Sequence, residues 1–226
     1  MFNFLKEKLP LSFRGKYRRN WKRLQLETQI VTGGISRIFH RLPLPENPDG
    51  SVNLHLGCGE INHPKFINID AVSAPHIHYV RQIDDLSLFK DDTVDFIYAS
   101  HCLEHFSHKY IHKVLAEWYR SLKKGGVLRL SVPDFDSLLD IYMNSGNDIN
   151  RIIGFLMGAQ NYKYNFHRTI FTKSSLSLLL KNTGFVEVKE WTPFSGDLTT
   201  FSDCSRLTVS INGRDCPVSL NLEAVK

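Results

Sequence analysis

The sequence predicts an α/β fold in which helices cover both faces of a mostly parallel β-sheet. Apolar runs of strand length alternate along the chain with segments whose apolar residues recur at helical spacing. Consecutive parallel strands need such crossover segments between them, so the alternation favours a three-layer arrangement. Ligands of these sheets bind beyond the carboxyl ends of the strands. In this chain, polar clusters follow the predicted strands at those ends.

The individual elements follow from the same patterns. Seven segments resemble strands: 52–56, 66–70, 78–83, 94–99, 127–132, 185–191 and 218–225. Helical spacing is found in four others: 107–124, 136–144, 148–157 and 172–182. We expect Gly125-Gly126 to end the first helix, Thr172 to cap the last one, and Gly184 to follow its end.

Positive charge is concentrated at the beginning of the chain. Residues 1–41 contain ten of the 28 Lys and Arg residues but only two of the 23 acidic residues, so they carry a net charge of +8, against −3 for the rest. Within this segment, 17–39 favours a helix, and 42–50 holds three of the nine prolines and is predicted to be a linker. We therefore expect a basic N-terminal helical extension with its linker at 1–50 and a folded domain at 51–226.

The composition also bears on compartment and partners. The four cysteines have no paired spacing, and residues 1–10 lack the continuous apolar core of a signal peptide, so a cytoplasmic protein is predicted. The basic segment could meet an anionic membrane surface, a nucleic acid or an acidic partner, or could be a solvated helix. Peripheral contact with the inner membrane surface is compatible with this charge, and no nucleic acid partner is expected.

The first candidate site is the turn Gly57-Cys58-Gly59, which follows a predicted strand. Glycines at such a turn let a bulky ligand approach the backbone. Asp70 ends the next predicted strand, where an acid can accept hydrogen bonds from two ribose hydroxyls. It follows Gly57 by 13 residues, whereas an NAD site expects about 20, so a standard NAD site is disfavoured. Asp84, after the third predicted strand, is a candidate to accept from an adenine amine.

An ordered set of motifs carries a more specific resemblance. LGCG is followed by NID, by DFIYASHCLEHF, and by a long amphipathic helix that ends in KKGG before VLRLSVPD. Over about residues 52–192 this set resembles class I S-adenosylmethionine-dependent methyltransferases. More narrowly, it resembles a bacterial branch often found in surface-polysaccharide gene clusters. The resemblance implies a Rossmann-like three-layer sandwich with seven strands and S-adenosylmethionine as cofactor.

The resemblance also implies roles for single residues. Gly57, Cys58 and Gly59 would border the methionine part of the cofactor, Asp70 would hold the ribose, and Asp84 would lie near the adenine. Ser100 and His101 would lie beside the sulfonium. Two features depart from the family pattern, because Ile61 stands where a third glycine is usual and the first crossover is too short for a full helix.

Methyl transfer to a hydroxyl requires that the acceptor lose a proton, and histidine suits this near neutral pH. His105 and His167 are therefore the candidate bases, with Asp134 as an alternative base or orienting acid. Aromatic residues in 162–168 could wall the acceptor pocket or serve as ordinary lid or core residues. The expected reaction is methyl transfer to a hydroxyl of a sugar, glycan or other small metabolite.

Two other functions are compatible with parts of the sequence. A non-catalytic nucleoside-binding module could dock on a partner through its basic segment. Residues 101–105, HCLEH, also match the H-x-x-E-H pattern of zinc peptidases. That pattern must lie within one helix, whereas here a predicted strand runs up to Ser100 and places His101 on a loop. No metal is therefore expected, and His108 and His112 are predicted to lie on an exposed helix face.

Overall fold

The computed structural model describes residues 42–226. The basic segment 1–41 and the helix predicted at 17–39 lie outside the described residues. Residues 42–50 contain a turn near Pro48 and no regular secondary structure.

A seven-stranded sheet forms the centre of the fold. Its strands are β1 (Asn53–Leu56), β2 (Ile67–Asp70), β3 (Tyr79–Val80), β4 (Val94–Ser100), β5 (Leu122–Pro133), β6 (Glu187–Glu190) and β9 (Ser219–Val225). Their order is β3-β2-β1-β4-β5-β9-β6. Only β9 runs antiparallel to its neighbours. The predicted seven-stranded, mostly parallel Rossmann-like sheet is therefore confirmed.

Four α-helices are described: α1 (Ile111–Ser121), α2 (Phe135–Asn144), α3 (Ile153–Met157) and α4 (Lys173–Thr183). Short 3₁₀ helices cover Leu103–His105, Ile149–Arg151 and Cys204–Arg206. No helix between residues 42 and 226 combines the length and the apolar composition that a membrane-spanning segment requires.

The ends of α1 and α4 show which local signals were correct. Thr172 accepts a hydrogen bond from the Ser175 backbone N–H and forms a capping box at the start of α4, as predicted. In contrast, α1 ends at Ser121, before the glycine pair. The chain becomes extended at Leu122, which is fully buried, and Gly125-Gly126 therefore lies inside β5. Burial of Leu122 thus determines where this helix ends.

The sequence patterns missed a hairpin formed by β7 (Thr208–Ile211) and β8 (Arg214–Pro217). The turn between these strands is Asn212-Gly213, and both residues have positive φ, which suits a tight hairpin. Ile211 of the hairpin packs with Leu138 and Ile141 of α2. The hairpin therefore extends the core beyond the carboxyl end of β5.

The two central strands β1 and β4 are buried on both faces of the sheet. All four residues of β1 are buried, as are five of the seven residues of β4. On one face, Leu54 and Leu56 pack in the main core with Trp118 of α1. On the other face, His55 lies among the rings of Phe66, Tyr98 and Phe201. This packing holds β1 and β4 in place. The turn at residues 57–59 follows β1, and residues 101–105 follow β4.

Candidate functional site

The turn after β1 is tightly held against two neighbouring segments. Gly57 donates its backbone N–H to the carbonyl of Ile69 at 2.9 Å. Its φ of +65° favours glycine, and a Cβ there would lie 3.0 Å from the Cβ of Cys102. Cys58 is buried, and burial raises the pKa of its thiol. A glycine at position 57 is therefore required both by the backbone conformation and by the space available.

Asp70 lies directly against this turn. Its Oδ2 accepts the Gly59 backbone N–H at 2.9 Å, and its Oδ1 accepts the Val72 N–H at 2.8 Å. Burial raises the pKa of the carboxyl group, although the two backbone donors act against this. Each oxygen keeps a lone pair for a further donor. A half-buried carboxylate beside a glycine turn fits the vicinal hydroxyls of a ribose, so these residues can hold a nucleoside cofactor.

The connection from β1 to β2 contains no α-helix in residues 57–66, all of which the structure describes. Ile61 donates its N–H to the Cys58 carbonyl at 2.9 Å and so closes a turn. The short first crossover expected from the sequence is confirmed. The backbone near the expected methionine part of the cofactor is therefore a series of turns.

The two acids after β3 have different surroundings. Asp85 pairs with Arg81 and accepts the Ser87 backbone N–H at 3.1 Å. Asp84 is half-buried, and its carboxylate raises the pKa of the Tyr110 phenol, which places the two side chains next to each other. Asp85 is thus engaged locally, and Asp84 faces the start of α1. The neighbouring Gln82 donates to the Tyr164 hydroxyl at 2.8 Å, a contact that the sequence patterns did not indicate.

Ser100 and His101 end β4 as predicted, with His101 on a bend outside any helix. His101 has a φ of +50° and donates its backbone N–H to the Ser131 carbonyl at 2.9 Å. Its Nε2 lies 2.8 Å from the Ser219 hydroxyl, and burial lowers the pKa of the ring to about 4. Since HCLEH is split between this bend and a 3₁₀ helix, the zinc-peptidase arrangement of two histidines on one α-helix is absent here.

Glu104, His105 and His167 form a cluster in which Glu104 is buried and the two histidines are half-buried. One ligand atom from each lies within 4.8 Å of the other two. Glu104 is fully buried, and both of its carboxylate oxygens lack a hydrogen-bond partner among residues 42–226. Burial raises the pKa of Glu104 to about 8 and lowers the pKa values of His105 and His167. The sequence indicated both histidines but assigned Glu104 no site role outside the zinc alternative.

Backbone carbonyls orient the two histidines. His105 Nδ1 lies 3.2 Å from the Phe166 carbonyl, and His167 Nδ1 lies 2.7 Å from the Phe155 carbonyl. A carbonyl can only accept, so each Nδ1 carries the hydrogen and each Nε2 of the neutral ring keeps a lone pair. His167 Nε2 then lies 3.8 Å from Glu104 Oε1.

Asp134 occupies a different environment. It caps α2, where its two oxygens accept from the Asp136 N–H at 3.2 Å and the Ser137 hydroxyl at 2.9 Å. Burial raises its pKa. No hydrogen bond or ion pair in the described part of the chain joins Asp134 to His105 or His167. Its observed contacts stabilise the start of the helix, and a catalytic role for it stays a prediction.

A pocket of about 460 Å³ opens beside the histidine cluster. Its lining includes Gln82, His105, Tyr110, Tyr164 and Arg168. His108 and His112 are exposed outside it, as predicted, but only His112 lies on α1, because His108 is in the turn that precedes the helix. Because four residues of the segment 162–168 line the pocket, this segment forms one of its walls.

The segment 162–168 lies next to both the Asp70 carboxylate and the histidine cluster. Burial and the nearby Asp70 carboxylate raise the pKa of Tyr162, so this phenol lies near Asp70. Five residues further on, His167 lies beside Glu104. A ligand at Asp70 and a ligand at His105 would both lie under 162–168.

Comparison with known proteins shows the family to which the chain belongs. A family model described as a methyltransferase domain matches residues 29–190, which is more than half of the chain. The chain belongs to the class I S-adenosylmethionine-dependent methyltransferases. It is therefore an enzyme, and S-adenosylmethionine is its cofactor, as the sequence motifs implied.

Solved structures of other methyltransferases have a similar fold. A Thermotoga maritima enzyme described as a possible histamine N-methyltransferase is 18% identical with a TM-score of 0.50, and the match covers 100% of both chains. A methyltransferase from Archaeoglobus fulgidus is 18% identical with a TM-score of 0.49, and 95% of this chain and 98% of that one are covered.

A third solved structure is a Burkholderia thailandensis 1,6-didemethyltoxoflavin-N1-methyltransferase with bound S-adenosylhomocysteine. It is 14% identical with a TM-score of 0.49, and 98% of this chain and 87% of that one are covered. No curated protein sequence matches the chain.

Proposed function

We propose that this methyltransferase methylates a hydroxyl of a sugar, a glycan or another small metabolite, with the reacting hydroxyl beside His105 and His167. The main support is that two groups lie at one edge of the sheet: the Gly59–Asp70 contact after β1 and β2, and the Glu104 cluster after β4. β1 and β4 are adjacent and parallel, so their carboxyl ends open onto the same cleft.

In the proposed arrangement, the cofactor lies across the ends of β1, β2 and β4. Gly57, Cys58 and Gly59 border its methionine part, Asp70 accepts from the ribose hydroxyls, and Asp84 lies near the adenine. Ser100 and His101 lie beside the sulfonium. The 2.9 Å contact between Gly59 N and Asp70 Oδ2 supports this assignment, because one ligand can touch both groups.

S-adenosylmethionine supplies a methyl group on a positively charged sulfur. The chain would align the acceptor oxygen with that methyl group, and the segment 162–168 would exclude water. As the oxygen–carbon bond forms and the carbon–sulfur bond breaks, the hydroxyl proton would pass to the Nε2 of His105 or His167. Burial lowers the pKa values of both rings and keeps them neutral near pH 7, able to accept a proton. Asp134 is the alternative base.

An acceptor screen tests this proposal. Purified enzyme is incubated with S-adenosylmethionine and a panel of nucleotide-sugars and short glycans, chosen because the motifs resemble the polysaccharide branch, and S-adenosylhomocysteine is measured. With an accepted substrate, His105→Ala or His167→Ala should lower kcat by about 10²–10⁴-fold and leave S-adenosylhomocysteine affinity unchanged. His108→Ala is the matched control, since His108 is exposed outside the cluster.

Two outcomes would contradict the proposal. If both cluster variants turn over at the wild-type rate, the histidines are not near the reacting oxygen. If the enzyme binds the cofactor but methylates no member of the panel, the acceptor class is wrong. Cofactor binding without turnover of acceptors from any other class either would instead favour a non-catalytic module.

The domain organisation and location form a separate part of the proposal. Residues 1–50 would be an extension to the catalytic domain at 51–226, and the enzyme would work in the cytoplasm at the inner membrane surface. The support is the charge of +8 in residues 1–41. Cosedimentation with vesicles tests this: binding to anionic but not to neutral vesicles is expected, and equal recovery with both would contradict it.

A further inference from the structure

The buried carboxylate of Glu104 has no hydrogen-bond donor or cation beside it in the described part of the chain. Its side chain is excluded from solvent, and neither oxygen accepts a hydrogen bond within the described residues. An unpaired buried carboxylate is costly unless a cation, a proton or a metal compensates it. What surrounds Glu104 therefore indicates which of these is present.

Two histidine ring nitrogens face the Glu104 carboxylate, and each carries a lone pair. Ser219 donates its hydroxyl hydrogen to the Cys204 carbonyl at 2.8 Å, so it must accept from His101 Nε2. The neutral His101 ring then turns an unprotonated Nδ1 toward Glu104 Oε1 at 3.4 Å. His167, whose Nδ1 donates to the Phe155 carbonyl, likewise turns its Nε2 lone pair toward the same oxygen. With Glu104 ionised, hydrogen-bond acceptors thus face one another, and either a proton or a metal ion must lie between them.

These contacts match the requirements of a metal site. Metal-binding histidines usually donate their second ring N–H to a carbonyl or similar acceptor, as His105 and His167 do here. An ion about 2.1 Å from each of its ligands in a tetrahedral site places those ligands about 3.4 Å apart. The 3.8 Å between His167 Nε2 and Glu104 Oε1 is close to that value, and the ligand atoms of all three residues lie within 4.8 Å of one another.

We infer that Glu104, His105 and His167 bind one divalent first-row transition-metal ion, of which Zn²⁺ is the example tested below. Two imidazoles and one carboxylate are a ligand set that suits such ions. His105 lines the pocket, so the proposed ion would lie beside the space in which an acceptor could bind. Such an ion would favour loss of the acceptor proton, and the two histidines would then hold the ion instead of accepting that proton.

The proposed site differs from the H-x-x-E-H alternative. Of the two histidines in that pattern only His105 is a ligand, Glu104 is a ligand and not a base, and His167 comes from a segment 62 residues further along the chain. His101 lies beside the carboxylate but outside the three-residue group. Residue spacing alone could not reveal this combination, and for that reason the sequence predicted no metal.

The chemical role of the metal rests on the proposed function, but metal binding can be measured without cofactor or acceptor. A failure to bind metal can therefore be distinguished from a failure of the proposed function. Chelator-treated full-length enzyme is titrated with Zn²⁺ by calorimetry and with Co²⁺ by visible absorption. We expect one ion per chain and Co²⁺ bands of a nitrogen–oxygen site. Glu104→Gln and His167→Ala should each weaken Zn²⁺ binding at least tenfold.

Two controls keep the inference falsifiable. His112→Ala removes an exposed histidine outside the cluster and should bind Zn²⁺ like the wild type. Circular dichroism and S-adenosylhomocysteine binding show whether Glu104→Gln is folded; if it is not, His105→Gln replaces it in the comparison. The inference is overturned if wild-type enzyme binds no Zn²⁺, since a proton bound to Glu104 would then remove the buried charge without a metal. It is equally overturned if the folded cluster variants bind as tightly as the His112→Ala control.

Discussion

Replacement of Gly57 by alanine tests whether the turn after β1 is held as tightly as the structure shows. The new Cβ would lie 3.0 Å from the Cβ of Cys102 and 3.4 Å from its Sγ. A non-glycine residue at positive φ costs about 1–2 kcal/mol, and crowding in a packed region costs a further 1–3 kcal/mol or so. Gly57→Ala should therefore lower the free energy of unfolding by roughly 2–5 kcal/mol.

Gly59 provides the matched control for this substitution. Its φ is +55°, but a Cβ there would meet no atom within 4 Å. Gly59→Ala should therefore incur only the backbone cost of about 1–2 kcal/mol. The difference between the two variants isolates the contact with Cys102.

Urea unfolding at pH 7.5, followed by circular dichroism, measures both variants. The m value should stay at that of the wild type, so that the shift in midpoint reports stability. If Gly57→Ala is no less stable than Gly59→Ala, Cys102 is not packed against the turn, and the reasoning about this turn is wrong. Calorimetry with S-adenosylhomocysteine should also show weaker binding by Gly57→Ala, because a displaced turn moves Gly59 away from Asp70.

Two further predictions concern stability. Burial lowers the pKa of His55 to about 3 from 6.5, so its neutral form stabilises the fold above pH 6.5 and this contribution is lost as the pH falls toward 3. Between pH 7.5 and 4.5 the wild type should lose roughly 2–3 kcal/mol more than His55→Leu in urea unfolding, and equal losses would mean that His55 is solvated. Thr172→Ala should cost about 1 kcal/mol in the same assay by removing the cap of α4, whereas Ser177→Ala in that helix should cost little; equal losses would contradict the capping role.

Local patterns predicted the parts of this fold that local chemistry determines. The cap at Thr172 and the strand–turn–acid arrangement from Leu54 to Asp70 depend on residues close in sequence, and the structure has both. The resemblance supplied the strand number. The end of α1 was wrong because it depends on burial of Leu122 in a core built by distant segments.

The candidate site shows the same limit. His105 and His167 were selected for their chemistry, and the structure places their rings 4.9 Å apart at the centroids. The sequence did not indicate that Glu104 is buried without a hydrogen-bond partner, because its burial arises from tertiary packing, which the spacing of residues along the chain does not reveal. Asp134 looked equally suitable in the sequence, but its observed partners are the backbone and hydroxyl at the start of α2.

Titration with S-adenosylhomocysteine tests most directly the claim that the β1 turn and Asp70 hold the cofactor. Wild-type enzyme should bind one equivalent, and Asp70→Ala should bind about 10–100-fold more weakly, because hydrogen bonds to a charged group contribute about 1.5–3 kcal/mol. Asp215→Ala, which removes an exposed acid of β8, should bind like the wild type. Absence of heat with the wild type, or equal affinity for Asp70→Ala and the wild type, would contradict the claim.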